Sequence, residues 1–223
     1  MRNVIVIAPH PDDETLGCGG TILRHINKGD CVTWVIVTCA TEEIGYSKEK
    51  IKIREKEIDK VAKMYGFKNT YKLNFTTTDL ENIDKREIIK KVSKCIDETN
   101  AEIMYVPNWS DVHSDHKIVS EVAISCSKWF RHPTIKEVYF YETLSETEFG
   151  INNSVNRFNP NVYININEYI DKKIEIMNVY ESEMGEFPFP RSNEAIKALA
   201  MVRGATVGVE YAEAFMLLKK IID

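Results

Sequence analysis

Apolar positions along the chain fall in short unbroken runs that alternate with stretches where they recur every three or four residues. Residues 4–8 form one such run, the pattern of a strand buried on both faces, as in a parallel sheet. Residues 14–28 carry Leu16, Ile22, Leu23 and Ile26 at helical spacing, with Gly29 placed as a stop. Residues 32–37 repeat the buried-strand pattern, and residues 47–65 repeat the amphipathic one, ended by Gly66. Strands over 71–74, 103–106 and 137–141 are separated by helices over 85–99 and 115–130. A polar loop follows over 144–160, with Asn152, Asn153, Asn156 and Asn159. Beyond it the pattern predicts a short strand over 162–166 and a helix over 168–180. An irregular Phe/Pro stretch over 185–191 and a helix over 193–202 come next. An apolar closing element over 211–218 is left open as to type.

Strand and helix thus alternate at least four times. That order predicts an α/β fold, a Rossmann-like doubly wound, mostly parallel sheet flanked by helices, with residues 1–223 as a single domain. Ligands of such sheets bind outside the carboxyl ends of the strands, so loops that follow strands are the places to look for chemistry.

Composition narrows the partners. The 223 residues are 43% hydrophobic and 28% charged, an ordinary globular balance that excludes disorder, collagen-like repeats and coiled coil. With 29 Lys plus Arg against 34 Asp plus Glu the net charge is −5, and no basic run is dense enough to neutralise phosphates, which argues against nucleic acid. A small molecule is the expected partner, and self-association into a homo-oligomer is compatible with the composition. The opening apolar run is too short for a signal-peptide core or a membrane span, so a cytoplasmic location is expected. Five scattered cysteines (Cys18, Cys31, Cys39, Cys95, Cys126), without a CxxC pair, fit free thiols in a reducing compartment.

Two clusters carry candidate chemistry. Directly after the first strand stands Ala8-Pro9-His10-Pro11-Asp12-Asp13-Glu14. The prolines stiffen the turn, and imidazole and carboxylate are ligands that zinc accepts in catalytic sites of about three protein ligands. His10 and one aspartate supply two; neighbouring aspartates point different ways, so one is expected on the metal and the other facing its open position as a base. An Asp-Asp pair is also a common helix cap, but its place behind His10 at the end of a buried strand favours chemistry. Gly17-Cys18-Gly19-Gly20 lacks the dinucleotide-binding spacing and reads as close helix-to-sheet packing. The second cluster, Asn108-Trp109-Ser110-Asp111-Val112-His113-Ser114-Asp115-His116, follows the strand over 103–106. His113 and His116 are three apart and share a face of a helix start, so one can be a ligand and the other a catalytic acid. Asp115 is available to orient or charge-stabilise an imidazole.

The motif A-P-H-P-D-D-E-x-L-G-C-G-G over 8–20, H-S-D-H over 113–116 and the closing Tyr211-Ala212-Glu213-Ala214-Phe215 together resemble the PIG-L/LmbE-like family of metal-dependent N-deacetylases. The resemblance covers essentially the whole chain. It implies a Rossmann-like fold, a zinc ion (Zn2+, one per chain, with Fe2+ an alternative in the cell) and hydrolytic removal of an acetyl group from an N-acetylated amino sugar or its conjugate by a metal-activated water. It further implies His10, Asp13 and His116 as metal ligands, Asp12 as general base, and His113 as oxyanion support with Asp115 as its partner. A protonated His113 would hydrogen-bond the oxyanion.

For substrate contacts the resemblance points to Arg54, to Asp79 and to Glu42 or Glu43, the last pair in a loop that lacks the family's glycine. Arg203 and Glu213 read as structural, and Phe187, Phe189 and Arg191 as a packed Pro-rich loop. Two other classes stay open: a metal-dependent phosphoesterase, disfavoured by too few extra carboxylates in the motifs for a second ion, and a non-catalytic Rossmann-like binding module.

Overall fold

The computed structural model describes residues 1–150 and 157–222; Asn152, Asn153 and Asn156 of the expected polar loop lie outside the described residues. Seven strands make one sheet: β1 (Asn3–Ala8), β2 (Cys31–Cys39), β3 (Asn69–Thr76), β4 (Ile103–Pro107), β5 (Glu137–Tyr141), β6 (Val162–Asn165) and β7 (Ala212–Lys220). Their order is β3-β2-β1-β4-β5-β7-β6. β1 to β5 pair in parallel, and β7 runs antiparallel between β5 and β6. The mostly parallel Rossmann-like sheet is therefore observed. Strand order reverses between β1 and β4, so this is the switch point where a ligand crevice opens.

The two-sided burial read for the first strand has its cause in the layers. Val4, Val6 and Ala8 face the layer of α1 (Asp13–Asn27), α2 (Lys48–Tyr65), α5 (Ile170–Met177) and α6 (Asn193–Val207). Ile5 and Ile7 face α3 (Lys85–Thr99) and α4 (Ser114–Cys126) on the other side. Helix α1 lies so close to the sheet that a Cβ on Gly17 would stand 2.3 Å from the Tyr141 ring, and one on Gly20 2.6 Å from Ile166. Close packing thus accounts for these glycines.

Boundaries differ where tertiary contacts override the local pattern. α4 ends at Cys126 rather than at 130, and Trp129 and Phe130, within the expected helix, are exposed. α6 runs on to Val207 rather than ending at 202: Gly204 is a close-approach position under the carbonyls of Val209 and Glu210, and Gly208, at φ 77°, ends the helix. The closing element is the strand β7. No helix among the described residues is long and apolar enough to cross a membrane.

A buried charge pair ties this strand to α1. Glu213 accepts from the amides of Gly20 (2.9 Å) and Thr21 (2.8 Å) and from Lys173 Nζ (2.7 Å), which also donates to the Leu16 carbonyl (2.8 Å). Both side chains are 5% exposed, so removing one partner leaves an uncompensated buried charge. Glu213→Ala is expected to cost roughly 3–5 kcal/mol, read from the denaturant midpoint, with part recovered when Lys173→Met is added. A loss below about 1 kcal/mol would show that the pair is replaceable by water.

Candidate active site and metal centre

In the loop after β1, Pro9 and Pro11 have no amide to donate and are held through their carbonyls, while the His10 amide between them donates to Asp13 (2.8 Å). The Pro9 carbonyl accepts from the Thr38 amide (3.0 Å) and hydroxyl (2.8 Å), and the Pro11 carbonyl from Arg54 (3.3 Å). Asp12 then adopts φ 143°, a conformation costly for a side chain, of order 1–3 kcal/mol. Its carbonyl starts α1 by accepting from Thr15 and Leu16, but its carboxylate makes no cap bond. The capping position is filled and the side chain is still free. Buried Glu14 holds the turn, accepting from the Asp12 amide (3.0 Å), the Thr15 hydroxyl (2.7 Å) and the Tyr180 hydroxyl (3.0 Å); burial pushes its carboxyl up to about 7.

Opposite, the loop after β4 delivers three residues of the second cluster. His113 caps α4, its Nδ1 accepting the Asp115 amide at 3.1 Å. An accepting Nδ1 leaves the ring proton of a neutral imidazole on Nε2. His116 Nδ1 is held by Asp111 Oδ2 at 2.8 Å, and Asp111 Oδ1 accepts in turn from Thr147 (2.7 Å) and Asn108 (3.2 Å). The rings of His10, His113 and His116 come together with centroids 4.6 to 5.6 Å apart.

Asp13 Oδ2 is the meeting point, 3.3 Å from both His10 Nδ1 and His116 Nε2. One donor atom from each of His10, Asp13 and His116 lies within 4.8 Å of the others. His116 Nε2 is buried and has no hydrogen-bond partner, although it faces a carboxylate. Such a pair calls for a cation between them, and a zinc-type ligand set fits. The other ring nitrogen of each imidazole is held by a carboxylate, His10 Nε2 by Asp115 (3.0 Å) and His116 Nδ1 by Asp111, the arrangement that orients metal-bound histidines. A second set, His10, His113 and Asp115, is equally compact. There Asp115 Oδ1 is also buried and unpartnered, but Oδ2 already serves Thr77, Thr78 and His10, and the His113 Nδ1 lone pair is committed to the Asp115 amide.

Electrostatics separate the two aspartates. Burial, the Asp13 charge and Glu183 hold the Asp12 carboxyl well above its usual range. Burial would raise Asp13 as well, yet His116 and His10 hold it well below. Against burial, the carboxylates of Asp115 and Asp13 push His10 up to about 9, and Asp13 and Asp111 raise His116. Burial and the charges of His10 and His116 push His113 down to about 4, a direction that agrees with its Nδ1 accepting the Asp115 amide.

A cavity of about 500 Å3 opens over this cluster, lined by His10, Asp12, Asp13 and His113 and by Thr77, Glu146, Glu183 and Arg191 among others. Arg54 lines it too, bound to Ser182 and Glu183 as well as to Pro11. Glu42 and Glu43, exposed on a short 3-10 turn, do not line it, though Ile44 and Tyr46 beside them do. Asp79 also lies outside, accepting from the Asn82 amide group at 2.6 Å, while Thr77 and Thr78 line the wall. The Asp115 carboxylate sits on His10 rather than on the His113 ring. Arg203 is locked in a two-point pair with Glu142 (2.8 and 2.6 Å).

Arg191 is not packed away in its loop; it reaches Glu183 (3.3 Å) and Asp12 (3.8 Å), while Phe187 and Phe189 stay exposed. Asp111, Glu146 and Glu183 were not singled out from the sequence. For Asp111 a signal exists: a carboxylate five residues before a histidine at a helix start.

Two carboxylates of opposite electrostatic character beside three imidazoles, in a cavity at the switch point of a Rossmann-like sheet, make a candidate hydrolase site with residues that could hold a metal ion. Comparison with known proteins agrees. The sequence profile of the PIG-L family, described as GlcNAc-PI de-N-acetylase, matches residues 5–127. The chain is 28% identical over 199 residues, 82% of it and 81% of the relative, to the probable N-acetyl-alpha-D-glucosaminyl L-malate deacetylase 2 of Bacillus anthracis. It is 24% identical over 228 residues, 99% of it and 85% of the relative, to the diacetylchitobiose deacetylase of Thermococcus kodakarensis. The crystal structure of the conserved protein TT1542 from Thermus thermophilus superposes with a TM-score of 0.77 at 26% identity, covering 100% of this chain and 97% of that one. The chain belongs to the PIG-L family of N-deacetylases and is a hydrolase of N-acetyl amide bonds.

Proposed function

We propose that this hydrolase is a zinc-dependent deacetylase of an N-acetylated amino sugar or a conjugate of one, with His10, Asp13 and His116 holding the ion and Asp12 as the base. The observation that carries the reading is the buried, unpartnered His116 Nε2 facing Asp13 beside an Asp12 carboxylate that its own helix cap does not use. Deacetylase names among the relatives, two of them acting on N-acetylglucosamine derivatives by those names, support the sugar. Bound in that ligand set, zinc supplies Lewis acidity, polarising the acetyl carbonyl and making water a stronger acid.

The chain's own residues do the rest. Asp12 takes the proton of the attacking water, and its raised carboxyl suits it to hold that proton and pass it to the amine nitrogen as the C–N bond breaks. His113, neutral, donates Nε2–H to the oxyanion, and the Asp115 amide fixes that tautomer. Asp111 and Asp115 keep the two ligand imidazoles in position. One proton carrier thus serves both halves of the reaction.

Among the described residues both metal-competent groups share His10, so they are not two independent ion sites, and a single ion is the simpler reading. Offering the zinc-loaded protein a panel of N-acetylhexosaminides is expected to release acetate and free amine in equal amounts. Phosphate release from phosphate esters with no acetate from any amide would overturn the reading.

A further inference from the structure

Glu146 is a cavity residue that the proposed reaction leaves without a task. It stands on the loop after β5, at the carboxyl edge of the sheet, and lines the same cavity as His10, Asp12 and His113. The loop fixes its backbone from two sides: its amide donates to the Thr143 carbonyl (3.1 Å), and its carbonyl accepts from the Val112 amide (3.1 Å). One residue on, Thr147 is clamped to Asp111, so the segment that carries Glu146 is braced against the second motif. Of the carboxylate's two oxygens, Oε1 accepts a long hydrogen bond from the Ser145 hydroxyl (3.5 Å) and only Oε2 is left over. Oε2 is buried and has no hydrogen-bond partner, a costly condition for a carboxylate oxygen. The cavity's two guanidinium groups do not answer it: Arg54 and Arg191 both pair with Glu183 instead. Nor does Glu146 belong to either metal-competent group. What it lacks is a donor that enters with the ligand.

That donor is limited by its surroundings. The cavity wall sets the carboxylates of Asp12, Asp13, Glu146 and Glu183 against Arg54 and Arg191, so an anionic group next to Glu146 would meet repulsion as well as an unpaired acceptor. A neutral hydroxyl fits: it donates one hydrogen bond and brings no charge. We infer that Glu146 recognises a hydroxyl group of the amino sugar, orienting the ring while its acetamide lies over the metal cluster. The inference rests on the deacetylase reading above and makes Glu146 a binding residue that discriminates between sugars, with no part in proton transfer.

The test crosses variants with substrates. Glu146→Leu removes the acceptor, and Glu146→Gln keeps a neutral one. On a fully hydroxylated N-acetylglucosaminide, Leu is expected to lower kcat/KM roughly 10- to 100-fold, chiefly through KM, with Gln falling between, as for loss of a hydrogen bond to a charged group. In a series of monodeoxy analogues one member should cost the wild type a similar factor, and on that member Glu146→Leu should lose no more than about threefold further.

Zinc content and the melting curve are expected to be unchanged in both variants, and calorimetric binding of a methyl glycoside to the Asp12→Asn protein should weaken when Glu146→Leu is added. The inference is overturned if the Leu variant loses the same factor on every deoxy analogue, if the loss sits in kcat alone, or if zinc is lost with the side chain. Wild-type protein that releases no acetate from any N-acetyl sugar would instead refute the deacetylase reading, and this inference with it.

Discussion

Asp12→Asn is expected to lower kcat for acetate release by roughly 100- to 10,000-fold, the range a positioned general base contributes, while leaving zinc content and folding intact. The separation of these effects follows from local structure. Asp12 is not one of the three residues whose donor atoms converge on a metal position, and its side chain makes no helix-cap bond. Its backbone supplies the start of α1 and its carboxylate supplies only chemistry. Asparagine is isosteric with aspartate, so the strain already present at φ 143° is not increased. The change removes the negative charge that lies 3.8 Å from Arg191, an exchange of little structural consequence. Acetate release, zinc by elemental analysis and a thermal melt on one preparation check all three. Activity within tenfold of wild type, at full zinc content, would sink Asp12 as the base.

How much of this was written in the sequence depends on distance along the chain. The first strand, the turn after it and the helix start are contiguous, so His10, Asp12 and Asp13 were legible from eleven or so residues of pattern and proline placement. The parallel sheet was legible from buried runs alternating with amphipathic ones. The reversed strand β7 was not, because its apolar run suits a strand in either direction and only pairing with β5 and β6 decides. The expected helix ran on over Trp129 and Phe130 because periodicity records apolar spacing and not whether a partner layer is there to cover it. The cavity wall was legible least of all. Glu146, Glu183 and Arg191 come from loops far from both motifs, and their roles appear only when β5, α5 and α6 are brought to the same edge of the sheet. Conversely, Glu43 and Asp79 sat in loops at the right edge but do not line the cavity, which takes Ile44, Thr77 and Thr78 from those loops instead.

His116→Ala is expected to strip the metal and abolish acetate release, and three neighbouring substitutions give that result its meaning. His116 is 1% exposed, with Nε2 facing Asp13 and Nδ1 held by Asp111, so its loss removes one of the three atoms that converge with His10 and Asp13. Asp111→Asn keeps the ligand but loses the charged acceptor behind it, and zinc affinity is expected to fall by roughly 10- to 100-fold, as for other partners of metal-bound histidines. His10→Ala should behave like His116→Ala, since Nδ1 of His10 faces the same Asp13 oxygen. His113→Ala is the decisive contrast: its Nδ1 is committed to the Asp115 amide, and it should keep zinc while losing turnover. Zinc dissociation constants from competition with a chromophoric chelator order the four proteins. If His113→Ala empties the site and His116→Ala does not, the ion sits in the alternative set of His10, His113 and Asp115, and the assignment of His116 as a ligand and His113 as the oxyanion donor must be exchanged.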